Sequence, residues 1–326
     1  MSSSAAAVPS RPQVLLVVGP GRSGTSAVAG ALAHSGYHVP NAIKARKSNP
    51  RGFYEPRWLV NFDKERLRGV RVGTLDPDPG ALDFLHRALD RGDAKAVLAP
   101  WIVEQLASGR RLVLKDPRLV WFHRLWTELA GELCFDLGFL MMMRHPSEVS
   151  ASRSAHYDTA HARAVAGWIN VALMTERLTR GDRRAVVHYP DLVADWRREL
   201  GRVGGLLDLD LQPSIDQRPH PVDKFLDPSL RRQPHGWDGL SVPAWLRDLA
   251  DRTFTALNTI AGHGEAVDCA VLDALTEEYA EAYEALACVA RPRFQRAKGI
   301  RGAVDIEEPE EAPAERRGFR TLLRRR

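Results

Sequence analysis

The stretch that most constrains the fold is an apolar run that enters a glycine-rich turn, QVLLVVGPGRSGTSAVAG, residues 13–30. QVLLVV has the continuous apolar character of a strand that is buried on both faces, and the residues after the turn have helical periodicity. A strand, a glycine-rich turn and a helix in this order present backbone N–H groups and the positive end of a helix dipole to an anion. The stretch therefore predicts an anion-binding loop at the edge of a parallel sheet.

This loop departs from the usual nucleotide-binding pattern, in which glycine, four residues and glycine precede lysine and a hydroxyl residue. Gly19 and Gly24 have the required spacing and Ser26 is in the hydroxyl position, but Thr25 is where the lysine belongs. The loop's cation is Arg22 instead. Without this lysine, the loop lacks the usual contact to the β and γ phosphates of a nucleotide. This absence argues against an ordinary ATP or GTP hydrolase. A tight turn without a ligand is the alternative, although three glycines, an arginine and three hydroxyls exceed what a turn requires.

The rest of the chain alternates apolar stretches with segments of helical periodicity, which predicts an α/β fold with a central, mostly parallel sheet flanked by helices. The expected architecture is similar to that of P-loop NTPases, with a helical C-terminal part. Further strands are predicted at 111–115, 138–143 and 185–189. Helices are predicted over 25–36, after Pro146, as one helix over 191–209, and from about 243 and 270, with a loop over about 212–239.

The composition is that of a soluble globular protein, with 326 residues, 44% hydrophobic and 27% charged. No apolar run approaches the ~20 residues of a membrane helix, and the N-terminus lacks the features of a secretory signal. We expect a cytoplasmic protein with a disordered N-terminus (1–12), a single domain (13–300) and a disordered charged tail (301–326). The net charge of +5 suits an anionic small molecule as well as nucleic acid, and we predict no nucleic-acid partner.

The three cysteines predict neither a metal centre nor a disulfide framework. Cys134, Cys269 and Cys288 are odd in number, lack the spacing of metal ligands and lie in apolar contexts that predict buried thiols.

A second junction between strand and helix carries a cation and a hydroxyl, in the stretch MMMRHPSEVSASR. Arg144 closes the apolar strand, and Ser152 falls in the second turn of the following helix. Ligands of open parallel sheets bind outside the carboxyl ends of the strands, so both junctions should face one crevice. This arrangement predicts a ligand with two separated anionic groups.

These two junctions resemble the two nucleotide-binding motifs of sulfotransferases, which take a sulfuryl group from 3'-phosphoadenosine 5'-phosphosulfate (PAPS) and release adenosine 3',5'-bisphosphate (PAP). The resemblance implies that the loop cradles the 5'-phosphosulfate and that Arg144 and Ser152, eight residues apart, bind the 3'-phosphate. It implies a binding role for five consecutive loop residues, which are Arg22, Ser23, Gly24, Thr25 and Ser26.

Weaker similarities extend the resemblance over about residues 13–260. LVLKDPR resembles a strand end of the family, which implies that Lys115 contacts the transferring group. NPRGFYEP resembles a segment of bacterial members, with an acidic residue at the place of Glu55. The chain departs from the small-molecule animal enzymes at Pro117, where their catalytic histidine is expected. This departure leaves the base open, with Glu55 first, because Phe53 and Tyr54 precede it and could desolvate it, and with His123 or Asp116 next.

Sulfuryl transfer can proceed with positioned cations and amides, so we predict catalysis by Glu55, Lys115 and Arg22 without a metal ion. The acceptor would be a hydroxyl group on a lipid, a glycan or a secondary metabolite, and the oligomeric state is left open. One alternative is a kinase or NTPase in which Asp116 holds magnesium. Another is a non-catalytic protein whose basic tail binds anions or a membrane surface, and deletion of residues 305–326 without loss of activity would dismiss it.

Several other residues could have either a structural role or a role at the site. The aromatic residues Trp121, Trp126 and Trp168 fit core positions better than an acceptor pocket. Arg231 and Arg232 are either a solvated pair or a closure over the nucleotide. His145 is expected to shape the site, whereas His156 fits a surface or packing role.

Overall fold

The computed structural model describes residues 11–45, 51–108, 111–226, 236–263 and 269–297. Its centre is a four-stranded parallel sheet with the strand order β2-β1-β3-β4. The strands are β1 (Gln13–Val18), β2 (Arg111–Lys115), β3 (Asp136–Met143) and β4 (Arg184–His188). Since β1 lies between β2 and β3, the loop after β1 is flanked by the ends of both neighbouring strands.

Twelve α-helices and one 3-10 turn are present in the described residues. The helices before β3 are α1 (Thr25–Ala33), α2 (Arg57–Gly69), α3 (Ala81–Arg91), α4 (Ala94–Ser108) and α5 (His123–Leu133), with the 3-10 turn at Leu119–Phe122. The helices after β3 are α6 (Pro146–Tyr157), α7 (His161–Thr179), α8 (Tyr189–Ala194), α9 (Trp196–Leu207), α10 (Pro221–Phe225), α11 (Ala244–His263) and α12 (Cys269–Ala297).

The alternating side chains of β1 show why its sequence is apolar throughout. Val14, Leu16 and Val18 pack into a core built with α2–α5, α7, α11 and α12. Leu15 and Val17 pack on the opposite face with α1, α8 and α9. Burial on both faces removes the alternation that a half-exposed strand would show. The predicted fold class is confirmed, with a parallel sheet covered by helices on both faces and a helical C-terminal part.

The element boundaries differ from the predictions in a few places. The helix predicted over 191–209 is two helices, because the backbone breaks at Asp195, whose side chain accepts a hydrogen bond from the N–H of Arg198 at 3.1 Å and caps α9. α1 ends at Ala33, and β3 begins two residues before the predicted Gly138. The predicted loop over 212–239 contains α10.

The chain divides into two compact units, Met1–Ala285 and Leu286–Arg326. The predicted disordered ends lie almost entirely outside the described residues, and the boundaries at 12 and 300 stay predictions. No helix in the described ranges combines the length and the apolar character needed to cross a bilayer.

The cysteines are not the buried thiols that the sequence predicts. Cys134 and Cys288 are exposed, and Cys269 is half-buried. Cys134 follows the last residue of α5 and has a left-handed backbone conformation. The apolar residues beside it in the sequence do not bury its side chain. All three are free cysteines.

Candidate functional site

The loop after β1 has the backbone of an anion cradle. The φ angles of Gly19, Arg22 and Gly24 are all positive, at 108°, 75° and 91°. Within the described residues, the N–H groups of Gly21, Arg22 and Gly24 make no hydrogen bond, and the Oγ of Ser23 is buried without a partner. A buried donor is normally paired, so the Ser23 hydroxyl, together with these N–H groups, can bind an anionic ligand.

The two strand-to-helix junctions meet through a side-chain hydrogen bond. Arg22 Nε donates to Ser152 Oγ at 2.9 Å, and Arg22 Nη2 lies 3.4 Å from His156 Nε2. The Nδ1 of His156 lies 2.8 Å from the carbonyl oxygen of Ser152, so Nδ1 donates there and Nε2 accepts from Arg22. Arg22 is therefore directed toward α6, and His156 contacts a predicted site residue where the sequence predicted only a surface or packing role.

Arg144 is buried beside the same loop. Its Nε donates to the carboxylate of Glu148, which is 1% exposed, while its Nη2 is buried without a partner in the described part of the chain. The guanidinium carbon lies 5.0 Å from the ring centroid of Tyr189. A Cβ at Gly24 would lie 2.2 Å from Cδ2 of Tyr189, so only glycine permits this approach. Tyr189 thus connects the two junctions.

Tyr189 was not among the site residues predicted from the sequence. The available signal was its position, because it directly follows β4, whose end lies at the same sheet edge as the ends of β1 and β3.

Lys115 and Glu55 form an ion pair at the end of β2. Lys115 Nζ donates to Glu55 Oε1, and the side chains are 4% and 14% exposed. The main chain of Glu55 is held by the N–H of Ile43, which donates to its carbonyl oxygen at 2.8 Å. The predicted base is therefore largely buried, but a cation lies beside it in addition to the predicted aromatic residues.

Tyr54 directs Glu55 through an unusual backbone conformation. Its φ of 55° lies in the left-handed region, which costs a residue with a side chain about 1–2 kcal/mol. The Tyr54 ring packs edge-on against Phe225, with 5.5 Å between centroids. Ser26 Oγ donates to the carbonyl oxygen of Phe53 at 3.3 Å, which joins α1 to the segment that carries Glu55.

Two buried acidic residues, Asp116 and Asp63, lie close to each other and near Lys115. Only Asp116 was a candidate from the sequence. Asp116 accepts hydrogen bonds from the Arg118 N–H at 2.9 Å and from Arg118 Nη1 at 2.9 and 3.2 Å. Burial raises the pKa of Asp116, Arg118 lowers it, and Glu55 raises it further. Burial and Asp116 also raise the pKa of Asp63 on α2 well above its ordinary value, against the effects of Arg118 and Arg66.

The remaining candidates are either core residues or histidines whose side chains contact an aspartate. Trp121, Trp126 and Trp168 are fully buried, which confirms the interpretation as core residues. His145 caps α6 and contacts Asp251 at 3.1 Å, and His123 contacts Asp182 at 2.6 Å. Among the described residues, no three His, Cys, Asp or Glu side chains are grouped as metal ligands. Arg231 and Arg232 lie outside the described residues.

Comparison with known proteins gives distant structural neighbours. No family model matches the chain, and no curated protein matches it. The sulfotransferase domain from the Synechococcus PCC 7002 olefin synthase is similar, with 16% identity, a TM-score of 0.47, and coverage of 77% of this chain and 97% of that one. The sulfotransferase domain from the curacin biosynthetic pathway has 14% identity and a TM-score of 0.37, with coverage of 84% and 98%. The function proposed below rests on this chain's own side chains.

Proposed function

We propose that this chain is a sulfotransferase that moves a sulfuryl group from PAPS to a hydroxyl acceptor and releases PAP. The hydrogen bond between Arg22 and Ser152 carries the proposal, because it joins two anion-binding junctions that are 130 residues apart in the sequence. One ligand with two separated anionic groups would be held by both junctions at once. The proposal includes an acceptor hydroxyl on a lipid, a glycan or a secondary metabolite, and a cytoplasmic location.

The unpaired donors of the site fit such a nucleotide. Unpaired donors within the described residues are the N–H groups of Gly21, Arg22 and Gly24, the Ser23 hydroxyl and the Nη2 of Arg144. Charge-assisted hydrogen bonds to phosphate-type oxygens would satisfy them, and each is worth about 1.5–3 kcal/mol. The loop residues Arg22 to Ser26 and the pair Arg144 and Ser152 would hold the donor.

Lys115 and Glu55 supply the two charges that sulfuryl transfer requires. When bound, PAPS supplies a sulfuryl group whose bond to the phosphate oxygen breaks as a bond to the acceptor oxygen forms. The ammonium group of Lys115 would stabilise the negative charge that develops on the leaving phosphate oxygen. The carboxylate of Glu55 would take the proton from the acceptor hydroxyl. In this proposal no metal ion takes part.

The alternative, a kinase or NTPase that uses Asp116 for magnesium, is less well supported by the surroundings of Asp116. Both carboxylate oxygens already accept hydrogen bonds from Arg118. A magnesium ion would need to displace this buried ion pair. Turnover that persists in EDTA favours the sulfotransferase, and turnover of ATP that requires magnesium favours the alternative.

The experiment is to measure PAP release from PAPS, in EDTA, with a panel of lipid, glycan and secondary-metabolite hydroxyl compounds. We expect Glu55→Gln to lower kcat by about 100-fold or more, because a general base is lost. Glu65→Gln is the matched control, since Glu65 is exposed on α2 and its side chain contacts Arg66. Turnover of Glu55→Gln within about threefold of the parent would place the base elsewhere.

A further inference from the structure

The ion pair between Lys115 and Glu55 joins the two groups that the proposed function uses on opposite sides of the transfer. In the proposed reaction, Lys115 contacts the donor and Glu55 contacts the acceptor. In this structure the two side chains are paired with each other instead. We propose that Glu55 and the nucleotide donor compete for Lys115, so that donor binding separates the pair and frees the Glu55 carboxylate for the acceptor hydroxyl. This inference rests on the proposed function.

In the described part of the chain, the side chains of Lys115 and Glu55 have no further contacts that would prevent Lys115 from pairing with another anion. Within the described residues, the side chains of Lys115 and Glu55 have no other hydrogen-bond or ion-pair partner. The neighbouring carboxyl of Asp116, by contrast, is fixed by three hydrogen bonds from Arg118. Lysine has a flexible four-carbon arm and three donors, so it can turn from one anion to another without a change in the backbone.

Burial makes the exchange costly unless a second anion replaces the first. Lys115 is 4% exposed, so separation without a replacement would leave an almost fully buried ammonium group unpaired. A phosphate-type oxygen of the donor keeps the ammonium paired, whereas a neutral ligand would not. The pair should therefore open in response to an anionic donor, and the base should become available only after the donor is bound.

The competition predicts that the affinity for PAP increases when the carboxylate of Glu55 is removed. In Glu55→Gln, Lys115 no longer has to leave a carboxylate, so PAP should bind about threefold or more tightly than to the parent. Isothermal titration calorimetry with PAP on the full chain measures this effect. Glu65→Gln, which removes the same charge from an exposed position on α2, should leave the affinity unchanged.

A double-mutant cycle separates competition from simple charge repulsion between Glu55 and PAP. Lys115→Met retains the aliphatic arm and removes the ammonium group. In that background Glu55→Gln should no longer tighten PAP binding, because there is no cation to compete for. The double variant has no unpaired buried charge. If Lys115→Met alone folds poorly, the double variant is compared with Glu55→Gln and should bind PAP more weakly, because competition requires that Lys115 contacts PAP.

Two results would overturn the competition. One is an equal gain in affinity from Glu55→Gln with and without Lys115, which would indicate repulsion alone. The other is an unchanged affinity of Glu55→Gln when the parent binds PAP. Failure of the parent and of every variant to bind PAP would instead overturn the proposed function, and the competition with it.

Discussion

Asp63 is a carboxylic acid that is fully buried on α2, and neither of its oxygens is hydrogen-bonded within the described residues. Burial and the charge of Asp116 raise its pKa well above the ordinary value of 3.8. The folded protein therefore holds this proton more tightly than the unfolded chain. The stability that Asp63 contributes is fully present below about pH 4 and is lost as the pH rises through the folded-state pKa.

The variant Asp63→Asn tests this account, because an amide resembles the protonated carboxyl in shape and cannot ionise. We expect the variant and the parent to unfold at similar temperatures near pH 4, and the variant to become the more stable of the two as the pH rises toward neutrality. Thermal denaturation across this range measures the difference. The exposed Asp83 offers a control as Asp83→Asn. Parallel curves for Asp63→Asn and the parent would contradict the raised pKa.

Local motifs in the sequence suggested single candidate residues but not the residues that contact them. Lys115 and Glu55 were identified from separate stretches, but their ion pair forms across 60 residues of chain and leaves no local pattern. The same is true of the contact between Arg22 and His156. Asp63 was missed because a charged residue in a helix is usually exposed, whereas in the fold Asp63 is buried close to Asp116 and Arg118.

At the scale of elements, three separate segments position the proposed base. In α1, a Cβ at Gly30 would lie 2.1 Å from Cζ of Phe225 and 2.8 Å from Cε2 of Tyr54. Phe225 ends α10, and Tyr54 precedes Glu55. The absence of a side chain at Gly30 therefore leaves room for the rings of Phe225 and Tyr54 against α1.

Gly30→Ala should displace Tyr54 and lower kcat by about tenfold or more, because a small misplacement of a catalytic group is costly. Alanine is otherwise the better helix former by about 1 kcal/mol. Gly131→Ala is the matched control, since nothing lies within 4 Å of a Cβ in that position on α5. It should leave kcat unchanged. The same change in kcat for both variants would dismiss the positioning role.

The strands were predictable because burial on both faces gives a continuous apolar run, and all four were located to within two residues at either end. Their order in the sheet was not predictable, since pairing between β1 and β3 depends on contacts between distant segments. The break at Asp195 was missed for a different reason. The apolar stripe continues from α8 into α9, so periodicity alone suggests one helix.

At the scale of the whole molecule, the order β2-β1-β3-β4 brings the proposed site together. The ends of three neighbouring strands supply the loop after β1, Lys115 as the last residue of β2, and Arg144 directly after β3. Because the strands are parallel, the loop after β1 and Arg144 were expected to face one crevice. The acceptor could not be predicted from the sequence, because its contacts depend on side chains from several helices and loops.

The central claim is that the two junctions form one site for a nucleotide with two separated anionic groups. The most direct test compares PAP with adenosine 5'-phosphosulfate, which lacks the 3'-phosphate, by calorimetry on the parent and on Arg144→Lys. Lysine keeps a cation beside the buried Glu148 but loses the guanidinium donors, so the fold should persist. We predict that PAP binding weakens about tenfold or more, while adenosine 5'-phosphosulfate binding barely changes. Equal weakening of both ligands, or no PAP binding by the parent, would contradict the claim.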